Sequence, residues 1–183
     1  MLTTLRPTKK PSPFILYPLA FILSFLFSLA WVNAEETPKP KPQDWQINGI
    51  VAALDDDYEQ VKGYALYALG QIGEYELQDI KKPENIAQKA ANILKDEKVS
   101  AYVRRYAAEA LGNLAGAGAK YAPDLANILK DEKVDAYVRR DAASALGNLG
   151  DAGAKYAPDL ANILKDEKVD ADVRGNAASA LGN

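Results

Sequence analysis

Two stretches of this chain are almost one sequence written twice. Lys120–Asn148 reads KYAPDLANILKDEKVDAYVRRDAASALGN, and Lys155–Asn183 repeats it 35 residues later, differing only at 137/172, 140/175 and 141/176. One period earlier, Ala90–Asn113 (AANILKDEKVSAYVRRYAAEALGN) follows the same template, and Trp45–Gly73 is a diverged copy whose central turn is two residues shorter. A repeat of this period makes each unit one supersecondary element that must pack on its neighbours. It constrains the fold more tightly than composition can.

Each unit divides into two helices. In the third unit Pro123 suits a first helical turn, where its missing N–H has no partner to lose. Tyr121, Leu125, Ile128 and Leu129 then share one face, and Asp131-Glu132-Lys133 makes the turn. Asp135 is placed to cap the second helix, as are Ser100 and Asp170 in the flanking units. In the diverged unit Asp57 and Gln60 have the spacing of a capping box. Val138, Ala142, Ala145, Leu146 and Leu149 recur at helical spacing along the second helix, which Gly147 and Gly150 are expected to end in left-handed conformations.

A helix pair this short cannot bury its apolar stripe alone. A buried Leu or Val contributes roughly 1.5–3 kcal/mol, against about 1–2 kcal/mol for every backbone residue ordered. The next unit's stripe supplies the missing burial, which gives a one-dimensional array. Its units are expected at about 44–73, 84–116, 120–151 and 155–183, together a domain of 44–183. Asn183 is the counterpart of Asn148, so Ala177, Ala180 and Leu181 face no following unit, and the array is expected to continue in a longer chain.

The run Val-Arg-x-x-Ala-Ala-x-Ala-Leu-Gly, in Val103–Gly112 and Val138–Gly147, resembles the HEAT repeats of the phycobilisome-lyase type, over about residues 45–183. The Trp/Leu-Gly/Tyr pattern of tetratricopeptide repeats and the Thr-Pro-Leu-His signature of ankyrin repeats are missing. The resemblance implies an all-α, right-handed α-solenoid of about four helix-pair repeats whose second helices line the concave surface. It also implies a ladder between units, formed by Asp96, Asp131 and Asp166 with Arg104, Arg139 and Arg174. Lys62 stands where the first unit would have its arginine. Related repeats occur in lyases that attach bilins to phycobiliproteins, so a lyase-like or phycobilisome-associated role is the alternative that the resemblance carries.

The chain has no cysteine and no histidine. A disulfide, a thiolate nucleophile and a thiolate metal site are excluded, and the commonest general base and zinc ligand is missing. No catalytic residue, cofactor or metal is expected. Asp55-Asp56-Asp57 lacks the loop spacing and glycine of a calcium hand and reads as a turn with a helix cap. Asp131, Glu132 and Asp135 lie in and just after a solvated turn. Beyond residue 34 the chain carries 19 basic and 25 acidic side chains, a net −6. Phosphate recognition needs clustered positive charge, so nucleic acid is not an expected partner.

Residues 1–13 hold Arg6, Lys9 and Lys10, Phe14–Trp31 is apolar, and Val32-Asn33-Ala34 has the form of a signal-peptidase site. That order is a secretory signal peptide, with cleavage expected after Ala34 and export to a periplasm, lumen or extracellular space. A run of 18 residues also spans a bilayer, so an uncut anchor in the cytoplasmic membrane is the alternative. Membrane contact is expected only in that case. Residues 35–43, rich in Pro, Lys and Glu, read as an extended linker.

The expected role is a non-catalytic scaffold for another protein, with a membrane-tethered structural module as a further alternative. Tyr58, Tyr64, Tyr67, Tyr102, Tyr106 and Tyr137 are placed on second helices. Tyr102, Tyr106, Glu109 and Asn113 share a face distinct from the Val103–Ala107–Ala110–Leu111 stripe. Changes between copies avoid that stripe: Tyr137 becomes Asp172, Arg140 becomes Gly175, Asp141 becomes Asn176, and Tyr106 and Glu109 stand where the third unit has Asp141 and Ser144. The candidate partner-binding face is therefore Tyr102, Tyr106, Glu109, Tyr137, Arg140, Asp141, Asp172 and Asn176, since exposed tyrosine is a favoured interface anchor.

Overall fold

The computed structural model describes residues 43–72 and 83–183. The expected export signal, 1–34, and the linker up to residue 42 lie outside the described residues. The described residues form ten helices and no strand. They are α1 (Asp44–Ala53), α2 (Glu59–Ile72), α3 (Pro83–Lys95), α4 (Ala101–Asn113), α5 (Ala115–Ala119), α6 (Ala122–Lys130), α7 (Ala136–Asn148), α8 (Asp151–Ala154), α9 (Ala157–Lys165) and α10 (Ala171–Gly182). The pairs α1–α2, α3–α4, α6–α7 and α9–α10 pack internally, and the second helices α2, α4, α7 and α10 pack each on the next. The result is the all-helical solenoid that the repeat demands.

Leu66, Ile86, Leu94, Leu111, Leu125, Leu129 and Leu146, with Val103, Val138 and Val173, are the largest fully buried side chains among the described residues. Val103, Leu111, Leu125, Leu129, Val138 and Leu146 lie on the apolar stripes read from the sequence, and between the stripes small residues set the spacing. A Cβ on Gly112 would lie 2.8 Å from the Ala145 Cα, and one on Gly147 would lie 2.8 Å from the Ala180 Cα. The second helices α4 and α7, and α7 and α10, thus touch backbone to backbone. This corrects the role expected for Gly147, which lies inside α7; of the two glycines Gly150 alone, with φ 53°, is left-handed. One period earlier the same backbone position is filled by Ala115, with φ 41°.

The connections between units are also more ordered than expected. α5 and α8 are short helices, and a Cβ on Gly118 or Gly153 in them would collide with the carbonyl oxygen of Leu111 or Leu146. Asp135 and Asp170 cap as expected, accepting from the Tyr137 and Asp172 amides at 2.9 and 2.8 Å. Ser100 does not accept at its helix start; its amide donates to Glu59 of the preceding unit at 3.1 Å. In the first unit Asp56 rather than Asp57 accepts at the start of α2, from the Tyr58 amide at 2.8 Å, and Tyr58 precedes the helix.

Candidate functional site

The arginine and aspartate columns are the first features to place. Arg104 and Arg139 are buried, and their Nε atoms donate to the Leu94 and Leu129 carbonyls at 2.9 and 3.0 Å. Both carbonyls belong to the last turn of a first helix, where no helical donor remains and the helix dipole is negative. Each guanidinium therefore ties the two helices of its own unit. Asp96, Asp131 and Asp166 accept instead from the Lys98, Lys133 and Lys168 amides at 2.9, 2.9 and 3.0 Å, closing their own turns. Among the described residues no ion pair joins the two columns. Arg174 is half-buried and its Nε has no partner. Among the charge pairs that do cross between units, Lys95–Asp124 and Lys130–Asp159, both at 3.0 Å, join the end of one first helix to the first turn of the next. Exposed pairs of this kind contribute about 0–1 kcal/mol each.

The other layer carries a denser arrangement. Tyr102, Arg105, Tyr106, Glu109 and Asn113 share one face of α4, spaced three or four residues apart. The Tyr106 ring meets Tyr67 of α2 edge-on at 5.6 Å and Tyr102 at 5.1 Å. Tyr102 and Tyr137 keep about half their surface exposed, at 52% and 55%. Arg105 lies 5.1 Å from the Tyr106 ring and donates from Nε to Asp141 Oδ2 on α7 at 3.0 Å. Arg140 donates to Asp141 Oδ1 at 2.8 Å and lies over Tyr137 at 5.3 Å. The Asn113 amide reaches back to the Gly70 carbonyl at 3.1 Å. A cleft of about 280 Å³ opens between α4 and α7, lined by Arg105, Glu109, Asn113, Asp141, Ser144, Ala145 and Asn148.

Burial above all, and then the charge of Asp141, holds the Glu109 carboxyl above its ordinary range, against the pull of Arg105 and Arg140. Hydrogen bonding to Tyr102, followed by burial, raises the Tyr106 hydroxyl. The bond to Asp141 raises Arg140. Among the described residues no cluster of carboxylates could hold a metal ion, and Asp141 is held between two guanidinium groups. Rings, amides and paired charges in this arrangement are suited to recognition.

The structure brings Tyr102, Tyr106, Glu109, Tyr137, Arg140 and Asp141 to one surface. Asp172 joins it through its charge on Arg140, while Asn176 turns its amide back to the Asp172 carbonyl at 3.0 Å. Two members escaped the comparison of copies. Arg105 is repeated as Arg140, so nothing marked it, and Tyr67 lies in the diverged unit. Its place in the helix, which matches that of Glu109 in the next unit, was the available signal.

A model of HEAT repeats matches residues 87–182, more than half of the chain. The chain belongs to the HEAT-repeat family. HEAT repeats generally mediate protein–protein interaction. No curated protein matches this HEAT-repeat chain. Among 13 solved chains that do is the crystal structure of an engineered protein from the Northeast Structural Genomics Consortium, with 23% identity and a TM-score of 0.51. The match covers 76% of this chain and 62% of that one, and it bears on the fold alone.

Proposed function

We propose that this HEAT array is a non-catalytic scaffold that holds another protein against the exposed face of its second helices. The single observation that carries the reading is the edge-to-face group Tyr67–Tyr106–Tyr102 on two packed helices, in which the half-buried Tyr106 fixes the exposed Tyr67 and Tyr102. Rigid aromatic side chains bury large area with little conformational entropy to lose, which is why they anchor interfaces. No feature of this face favours the lyase alternative over binding.

Affinity capture from the native source with the wild-type chain and with Tyr102→Ala, Tyr106→Ala and Tyr137→Ala is the test. Each variant should retain less partner at unchanged helicity, whereas Asn127→Ala on a first helix should retain it in full. Equal retention by all four variants would place recognition elsewhere. The order of basic, apolar and small residues over 1–34 supports export, with Glu35 as the mature N-terminus. Sequencing of the exported protein checks this, and an intact Met1 in a detergent-soluble fraction would make the segment an anchor.

A further inference from the structure

The charged groups around the cleft between α4 and α7 do not share their contacts evenly. Asp141 receives both guanidinium groups, from Arg105 at 3.0 Å and Arg140 at 2.8 Å. Glu109 is half-buried, yet among the described residues its carboxylate has neither a hydrogen-bond nor an ion-pair partner. It lies against α2, so that a Cβ built on Gly70 would be 3.3 Å from its Oε1. A carboxylate that has lost water without gaining a donor is unfavourable as it stands, and burial with Asp141 beside it accordingly raises its carboxyl.

Resting on the recognition face above, we infer that this cleft receives a basic side chain of the partner, with Glu109 as its counter-ion and the Tyr67–Tyr106 pair beside it. The charged side chains that line the cleft are Arg105, Glu109 and Asp141, one cation against two anions, so the lining is left at −1. That excess matches a single entering cation. The Tyr106 ring beside Glu109 already carries the Arg105 guanidinium at 5.1 Å, so the carboxylate is the group left open to an entering cation. The Asn113 amide nitrogen is already engaged with Gly70, which leaves its oxygen as a further acceptor toward the cleft. An anionic ligand has less to gain, because both guanidinium groups are already held by Asp141. The acid also occurs once in the array. The same helical position holds Tyr67, Glu109, Ser144 and Ser179 in successive units, so the second unit alone offers a carboxylate there.

The test uses fluorescence anisotropy of the full chain with two capped nine-residue probes of alternating Gly, Ser and Arg, the second with every arginine replaced by citrulline, its neutral isostere. The arginine probe should bind at least tenfold more tightly. Glu109→Gln should abolish that preference, while Glu132→Gln, which removes the same charge from an exposed turn, should leave it intact. Circular dichroism establishes that both variants fold. Equal affinity for the two probes, no binding of the arginine probe, or the same loss in Glu132→Gln would overturn the assignment. If Tyr102→Ala weakens both probes without any charge preference, the face recognises partners but the cation reading is wrong. If the tyrosine variants change nothing, the face itself is wrong.

Discussion

Gly112→Ala and Gly175→Ala make the same chemical change inside a helix and should move stability in opposite directions. Alanine is favoured over glycine in a helix interior by about 1 kcal/mol. At Gly175 nothing lies within 4 Å of the added Cβ, so that gain stands almost whole. At Gly112 the Cβ would sit 2.8 Å from the Ala145 Cα and 3.0 Å from its Cβ, where ordinary contact begins at 3.4 Å. Backbone on both sides leaves no flexible side chain to give way, and α4 and α7 must part by several tenths of an ångström. Overpacking of this kind costs about 1–3 kcal/mol, so the net effect is a loss of up to about 2 kcal/mol after the helix-propensity gain. Subtracting one variant from the other cancels the propensity contribution and reads the packing cost itself. Thermal and urea unfolding of the full chain, followed by circular dichroism, is the assay, and 1 kcal/mol corresponds to about 4 °C at this size. If Gly112→Ala is as stable as Gly175→Ala, backbone contact is not what spaces the units.

Ala115→Gly should stabilise the fold by about 0.5–1 kcal/mol, because a left-handed alanine costs about 1–2 kcal/mol and the freer unfolded chain returns part of that; a lower urea midpoint would refute it. Arg139→Ala should cost about 2–3 kcal/mol, since it strands the buried Leu129 carbonyl that now accepts a charge-assisted bond, whereas Arg174→Ala, whose Nε bonds nothing, should cost under about 1 kcal/mol; equal losses would show that the carbonyl bond is not what matters. Glu109 has a raised carboxyl in the fold, so the folded state binds the proton more tightly than the unfolded one. Its ionisation therefore penalises the fold progressively as pH rises above the ordinary glutamate range. Glu109→Gln should thus be at least as stable as wild type at pH 7 and lose that advantage at low pH; a variant less stable at pH 7 would contradict the burial argument.

The solenoid was legible because its stripe is written in residue type. Val138, Ala142, Ala145, Leu146 and Leu149 announce a buried face by spacing alone, and all five are buried. The arginine column shows where that kind of reading stops. The resemblance to HEAT arrays implied a ladder of Arg139 and Asp131 with their counterparts in neighbouring units, but the atom that Arg139 binds is a main-chain carbonyl, and carbonyls at helix ends carry no residue letter. The cross-unit pairs Lys95–Asp124 and Lys130–Asp159 were equally visible as letters. Their meeting depends on where one first helix ends relative to the next, which follows from the packing of the second helices. Around the cleft, comparison of copies found the residues that change and passed over Arg105, whose neighbour Asp141 comes from the following unit.

The backbone contacts Gly112–Ala145 and Gly147–Ala180 have a consequence for recognition. Spacing between units that rests on main-chain atoms has almost no slack, since no rotamer change can lengthen or shorten it. Groups presented by α4, α7 and α10 are then held like marks on a ruler. A ligand whose own groups fall at other intervals has to distort itself, because the array will not stretch to meet it. Little motion is frozen out on this side when the matching ligand arrives.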